Sequence, residues 1–347
     1  MNIRTFPASF ALLSALHAAA QPTAYLTALP AAEIRLSGST PATGPSRTYS
    51  FRHFDVIDLR VDTSRIGIHT RVPDFGPNYD RQLCFRRPAA VEIAAYLNHR
   101  FSSRDASLSA LVVLRTLWLS DANVIRPELW RHPGRRLERT HIRMKVEIYA
   151  FRDNQYLPVL RFDTLQTAWK KRILSETSPY SEWGRNLSLL IDQFADSASR
   201  LTAESGGGGR WVDLEAIRRS DSLRFDAPID RSSPVRGVYA SFDEFRNNHP
   251  SIIDFEVRVT GRERLLYIRQ SGISYYCHDA WGYSDGKNIY IMRDGVLWPA
   301  WKEQKAFYIP ASARAAAEAA SEAPLNPSRD YRRRSIYFVD MDTGDIY

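Results

Sequence analysis

Four groups of residues could do chemistry or recognition. Cys277-His278-Asp279 sets a thiol, an imidazole and a carboxylate side by side. A nucleophilic cysteine needs a base brought to it by the fold. A zinc site needs further Cys or His at short spacing, and the adjoining sequence has none. In an extended strand His278 faces away from Cys277 and Asp279, so the triplet reads as ordinary strand-end residues. Asp340, Asp342 and Asp345 with Gly344 echo a calcium loop. The bidentate acid that such a loop needs at its twelfth position does not occur before Tyr347, and a Thr-Gly turn between two strand ends is the expectation.

The third group is basic: Arg131, Arg135, Arg136, Arg139 and Arg143, with Trp130 and His132, in a chain of net charge +8. Such charge suits an anionic partner. Because the chain reads as exported, as argued below, the expected partner is an anionic envelope surface or an envelope protein, with no nucleic acid. The bland reading is a solvated loop. The fourth group is aromatic: Trp281, Tyr283, Tyr290, Trp298 and Trp301. Rings at strand spacing mostly build core. Tyr283, Trp298 and Trp301 are the tentative ligand-binding residues, with Trp298 or Trp301, next to Pro299, as the exposed ring. No catalytic residues, metal ligands or cofactor are assigned.

The elements that position these groups follow from periodicity. Trp281–Trp301 reads as a three-stranded meander with turns at Asp285-Gly286 and Asp294-Gly295, since Gly accepts the positive φ of a hairpin turn. Upstream, Ile57, Leu59 and Val61 alternate with charged residues as a half-buried strand. Pro88 opens a helix with Val91, Ala94, Ala95, Leu97 and Phe101 on one face. Leu108–Leu119 is nearly continuous in apolar residues and is expected to be a central strand buried on both faces. Ser120–Thr140 reads as a polar loop. Ile142–Ala150 alternates, turns at Arg152–Gln155 and returns as Tyr156–Phe162, with Pro158 toward a sheet edge. A second helix carries Trp183, Leu187, Leu190, Ile191, Phe194, Ala198 and Leu201 at helical spacing, with Ser181 as its N-cap. Trp211–Ser220 suggests a short helix, and Pro228 and Pro234 bracket an extended segment. Ser241–Asn248 reads as a capped helical turn with Phe242 and Phe245 inward. The remaining strand candidates are 252–259, 265–269, 273–276, 288–292, 296–298, 306–309 and 336–340. Ala311–Ala323 reads as an exposed helix or a mobile insertion.

The chain has 347 residues, room for two domains. Arg4, the apolar run Phe10–Leu16 and Ala18-Ala19-Ala20 before Gln21 have the order of a secretion signal. No later run reaches the roughly 20 apolar residues of a membrane-spanning helix. The only cysteines are Cys84 and Cys277, and whether they pair is open. Gly206–Gly209 lacks the Lys-Ser/Thr ending of a phosphate loop and reads as a linker. The expected division is a signal peptide (1–20), an extended tether (21–50), a mixed α/β domain with two helices on a small sheet (51–204), a linker (205–234) and a mainly antiparallel β domain (235–347). The fold class is α+β. Cleavage at the glycine run should release two soluble fragments.

With Phe54-Asp55-Val56-Ile57-Asp58-Leu59-Arg60 and Arg65-Ile66-Gly67, residues 51–204 resemble the small α/β domain of bacterial envelope lipoproteins and transport-auxiliary proteins. The lipobox cysteine of those proteins is missing. The second domain, with Gly237–Phe245 and Trp281–Lys287, is similar to uncharacterised exported bacterial β-rich domains. Neither resemblance carries over a functional residue. The expected function is non-enzymatic: a periplasmic or envelope-associated binding or assembly protein. The alternative is a hydrolase of envelope glycan or peptide, with Asp279 and Asp285 as its acids. Mass spectrometry of the protein from its native host should find a mature terminus at or near Gln21, and a cytoplasmic chain retaining Met1 would contradict export.

Overall fold

The computed structural model describes residues 29–37, 50–71, 79–124, 137–171, 179–204, 210–225, 227–260, 263–293, 295–303, 305–310 and 336–347. The signal-like terminus, the glycine run, the alanine-rich stretch and Arg131, Arg135 and Arg136 lie outside them. The architecture is mixed α+β and mostly β, with about 48% of the described residues in strands.

The first sheet has seven strands: β1 (Ala31–Glu33), β2 (Phe51–Asp58), β3 (Gly67–Arg71), β4 (Tyr79–Cys84), β5 (Leu108–Val124), β6 (Leu137–Arg152) and β7 (Gln155–Lys171). Their order is β1-β4-β3-β5-β6-β7. On β5, β2 pairs parallel along the first half, from Leu108 to Leu114, and β3 pairs with Leu119 and Ser120. The close β3–β5 approach explains Gly67, where a Cβ would sit 2.0 Å from the Leu119 carbonyl oxygen. The β6–β7 hairpin turns at Asp153 and Asn154, both with left-handed φ, as a two-residue hairpin turn requires.

β5 is buried without a break from Ala110 to Ser120, so both its faces are covered. The register slips between Leu114 and Thr116, which face Val146 and Lys145. Arg115 is the extra residue of a β-bulge, and a one-residue slip exchanges the faces. Ala110, Val112 and Leu114 before the bulge, and Leu117 and Leu119 after it, therefore lie in the same core. Trp118 turns to the opposite side. Arg115 itself pairs with Glu147 at 2.8 Å.

Two helices cover the first face. In α1 (Ala89–Phe101) the buried stripe is Ala89, Ile93, Tyr96, Leu97 and Phe101. This stripe is rotated from the expected one, and Val91 is exposed. The Asn98 amide group donates to Phe54 O at 2.8 Å and accepts from Phe54 N at 2.9 Å, fixing α1 to β2. In α2 (Pro179–Glu204) Trp183, Leu187, Leu190, Ile191, Phe194 and Ala198 enter the core, and Leu201 does not. The helix starts at Pro179, so Ser181 lies within its first turn rather than capping it.

Other departures from the sequence expectation are local. β1 lies within the expected extended tether, and Ile34 just after it is buried. β5 continues five residues and β6 four residues into the expected polar loop, because each extends a paired ladder. α3 (Leu214–Phe225) begins three residues late, since Val212 is held in a bridge to Tyr156. Pro228 opens a single helical turn, α4 (Pro228–Arg231), where an extended segment was expected.

The C-terminal half forms two antiparallel sheets. One has the order β16-β15-β14-β13-β12-β8: β8 (Gly237–Tyr239), β12 (Gly282–Ser284), β13 (Ile289–Arg293), β14 (Val296–Glu303), β15 (Ala306–Pro310) and β16 (Ile336–Val339). The other is β11-β10-β9: β9 (Phe255–Thr260), β10 (Glu263–Gln270) and β11 (Ile273–Tyr276). The helical turn α5 (Phe242–Arg246) is capped as its sequence indicates: Ser241 Oγ accepts from Glu244 N, and Glu244 Oε2 accepts from Ala240 N.

The second face of β5 and β6 is covered around Trp118 by β15 and β16, and around Leu111 and Val113 by Ile217 of α3. Trp118 stacks on Phe338 at 5.0 Å and packs against Tyr308 at 5.8 Å. Around these rings lies a buried charge network. Arg65 Nε meets Asp62 Oδ2 at 3.0 Å, and Arg65 Nη2 meets Glu303 Oε1 at 2.8 Å. The Tyr308 hydroxyl donates to Asp62 at 2.9 Å. A second set joins Lys145 to Asp340 at 2.6 Å and to Asp342 at 3.5 Å. Burial, opposed by Arg65, raises the Glu303 carboxyl above its ordinary range. A raised folded-state value means the folded protein binds this proton more tightly than the unfolded chain. The resulting stability is present at low pH and is lost as pH rises through the folded value. Relative to Glu303→Gln, the wild type should therefore lose urea stability as pH climbs above about 4.3; a gap that stays constant or reverses would contradict this.

Candidate functional site

The expected ligand-binding rings are distributed as follows. Tyr283 and Trp298 are buried, and Trp301 is half-buried. Tyr283 faces Tyr290 across β12–β13 and stacks on it at 4.7 Å and 6°, within the core that also holds Phe255, Leu266 and Cys277. Trp298 donates from Nε1 to Arg293 O at 3.1 Å and packs in the core around Phe245 and Phe307. Trp301 stacks on Tyr308 at 6.2 Å. Trp281 sits just before β12 and stacks on Phe245 at 4.2 Å. It therefore packs in the Phe245 core, on the other side of the sheet from Tyr283, although simple alternation puts the two on one side. The structure gives Tyr283 and Trp298 structural contacts on buried surfaces and does not bring the three tentative residues together as an exposed platform.

The other candidate groups are also engaged in structure. Cys84 and Cys277 are both free thiols. Burial raises the Cys277 thiol above its ordinary range, which lowers the thiolate fraction a nucleophile depends on. Asp285 accepts from Lys287 N at 2.8 Å, Asn288 N at 2.6 Å and the Asn288 side chain at 3.0 Å. Burial raises this carboxyl, but the hydrogen bonds from Asn288 and Lys287 outweigh it and hold the group below its ordinary range. Asp285 is thus the anchor of its own turn. Asp340 to Gly344 forms the expected turn, with Gly344 N donating to Asp340 O at 2.7 Å and a φ of 78° at Gly344. Its acids Asp340 and Asp342 face Lys145. Arg143, the described end of the basic stretch, is buried; it pairs with Asp163 and lies over the Tyr347 ring. Among the described residues no group of three or more His, Cys, Asp or Glu side chains could hold a metal ion. The cavity bordered by Arg60, Asp62, Trp118, Phe338 and Asp340 measures about 20 Å³, about the volume needed for one water molecule.

The surface that stands out is the three-stranded sheet. Its inner face carries Phe255, Leu266 and Ile268 against the Tyr283–Tyr290 stack. On the outer face Arg258 lies 4.3 Å over the Tyr267 ring, Tyr267 meets Tyr276 at 5.7 Å, and Tyr276 stacks on His278 at 6.0 Å. Glu256 pairs with both Arg258 and Arg269 at 3.0 Å, so those charges are offset locally. All four residues of β11 are exposed, Ile273 by 56%, Tyr275 by 48% and Tyr276 by 44%.

The other sheet edges carry features that discourage strand addition; β2, paired only with β5, holds Arg52, His53, Asp55 and Asp58. β7 has Pro158, Arg161 and Asp163. β8 is bridged by Ile252, and β16 by Ile346. β1 has only three residues, and β9 contains Glu256 and Arg258. β11, Ile-Ser-Tyr-Tyr, has no charge, no proline and no covering bridge among the described residues. Its strand was expected from the sequence, but its position at an edge depends on pairing that only the fold shows.

No family model matches the chain, and no curated protein or solved structure matches it. Tyr283→Ala should cost about 3–5 kcal/mol in urea unfolding, as loss of a large buried ring does. A variant of wild-type stability would contradict the core assignment.

Proposed function

We propose that this chain is an exported, non-enzymatic binding or assembly module of the cell envelope, and that it acts by accepting an extended polypeptide strand on β11. The observation that carries this reading is the unprotected edge of β11. A free edge gives a main-chain hydrogen-bond template, and the flanking side chains give selectivity. Ile273 and Tyr275 offer apolar contact on one face of such a strand, and Tyr276 offers an aromatic ring on the other. The signal-like sequence of the first 20 residues supports export. The Arg131–Arg139 stretch supports contact with an anionic envelope surface. No helix of the described residues is long and apolar enough to cross a membrane.

The proposal includes two domains, residues 51–204 and 235–347, joined through Gly206–Gly209. Because the Asp62–Arg65–Glu303–Tyr308 network and the Trp118–Phe338 packing join them, fragments cut at the linker should stay associated rather than separate as the sequence alone suggests.

The test is selection from a displayed library of random unconstrained peptides against the purified chain. Enriched peptides should alternate apolar residues and should lose binding to a Ser274→Pro variant that keeps the wild-type thermal midpoint. No enrichment, or equal binding to the variant, would contradict the reading.

A further inference from the structure

We infer that one occupant of the β11 edge is a second copy of this chain, paired antiparallel about a two-fold axis at Ser274; the inference rests on the strand-addition reading above. The Ser271–Gly272 turn has φ values of 51° and 79°, which a two-residue hairpin turn requires. Such a turn makes Gln270 and Ile273 the first hydrogen-bonded pair. Cys277 N donates to Leu266 O at 2.8 Å, which agrees with that phase. Since hydrogen-bonded pairs alternate along an antiparallel ladder, Ile273, Tyr275 and Cys277 direct their backbone groups to β10. Ser274 and Tyr276 direct theirs to the free edge.

A two-fold axis at Ser274 matches this pattern to itself. Ser274 N–H of each copy donates to Ser274 C=O of the other, and Ile273 of each copy faces Tyr275 of its partner on the same side of the sheet. Cross-strand aromatic–aliphatic pairs of this kind are favourable. The result is one continuous six-stranded sheet. Ile253, exposed by 71%, extends the apolar strip: Arg269 N donates to Asp254 O, so Ile253 lies one position beyond, level with Gln270 and Ile273.

Charge does not oppose a second copy at this edge. The chain carries +8 overall, and two strongly cationic molecules repel wherever like charges meet. β11 has no charge, and its nearest arginine, Arg269, opposite Ser274, is already paired with Glu256. Across the joined sheet the two Arg269 residues stand three strand spacings apart, about 14 Å, beyond the ~8 Å screening length at physiological salt. A charged partner peptide would gain no complementary group on this edge. The contact is small, so the dimer is weak and concentration-dependent.

Sedimentation velocity of the full chain over a concentration series tests the inference. The wild type should move from monomer to dimer as concentration rises. Ser274→Pro should weaken the dimer about thirtyfold, because it removes two amide hydrogen bonds. It leaves the β10–β11 ladder intact, because the Ser274 N–H points outward. Tyr275→Lys, which removes the ring and sets a charge opposite Ile273 in both cross-strand pairs, should weaken the dimer independently and keeps the test available if the proline variant does not fold. A wild type that stays monomeric throughout overturns the inference while leaving the peptide selection to judge the strand-addition reading. A dimer unchanged by either variant places the contact elsewhere and equally overturns it.

Discussion

The Arg65 guanidinium is the point on which the arrangement of the two halves depends. It is buried between Asp62 of its own segment and Glu303 of β14, and Asp62 in turn receives the Tyr308 hydroxyl. Burial first, and then the Asp62 carboxylate, push that hydroxyl well above its ordinary range, so Tyr308 stays protonated and donates. A buried ion pair contributes little net stability compared with a well-packed apolar pair, but losing one partner leaves an uncompensated charge. The network therefore specifies how β14–β16 dock on β3 and β5. Nearby, Lys145 and the Asp340–Asp342 turn repeat the arrangement on β6.

This docking explains several features that would otherwise be separate. The bulge at Arg115 keeps Leu117 and Leu119 under the helices and turns Trp118 onto Phe338 and Tyr308. The acidic turn at the end of the chain meets buried basic residues. With the first sheet covered on both faces, the β9–β11 sheet is, among the described residues, the surface that combines exposed apolar residues with an unpaired backbone edge.

Much of the local structure was legible in the sequence. The Leu108–Leu119 run, the Trp183–Ala198 stripe, the Ser241 cap and the Asp285-Gly286 turn each follow from nearby residues alone. What was not legible depends on partners distant in sequence. Arg143 and Lys145 alternate with apolar residues, yet both are buried against Asp340, nearly 200 positions away, with Arg143 also over the Tyr347 ring. β4, Tyr-Asp-Arg-Gln-Leu-Cys, has no apolar alternation to mark it, and its place as a strand rests on pairing with β1 and β3 on its two sides. The tentative binding rings Tyr283 and Trp298 pack inward, and the exposed rings Tyr275 and Tyr276 belong to a four-residue strand whose edge position no local pattern encodes.

The most direct test of this account is a double-mutant cycle on Arg65→Met and Glu303→Gln, read by urea unfolding. If Arg65 locks the two halves, the pair should couple by about 1.5–3 kcal/mol, and each single variant should still unfold in one transition. Effects that add to within about 0.3–0.5 kcal/mol would contradict it, as would two separate transitions in the wild type.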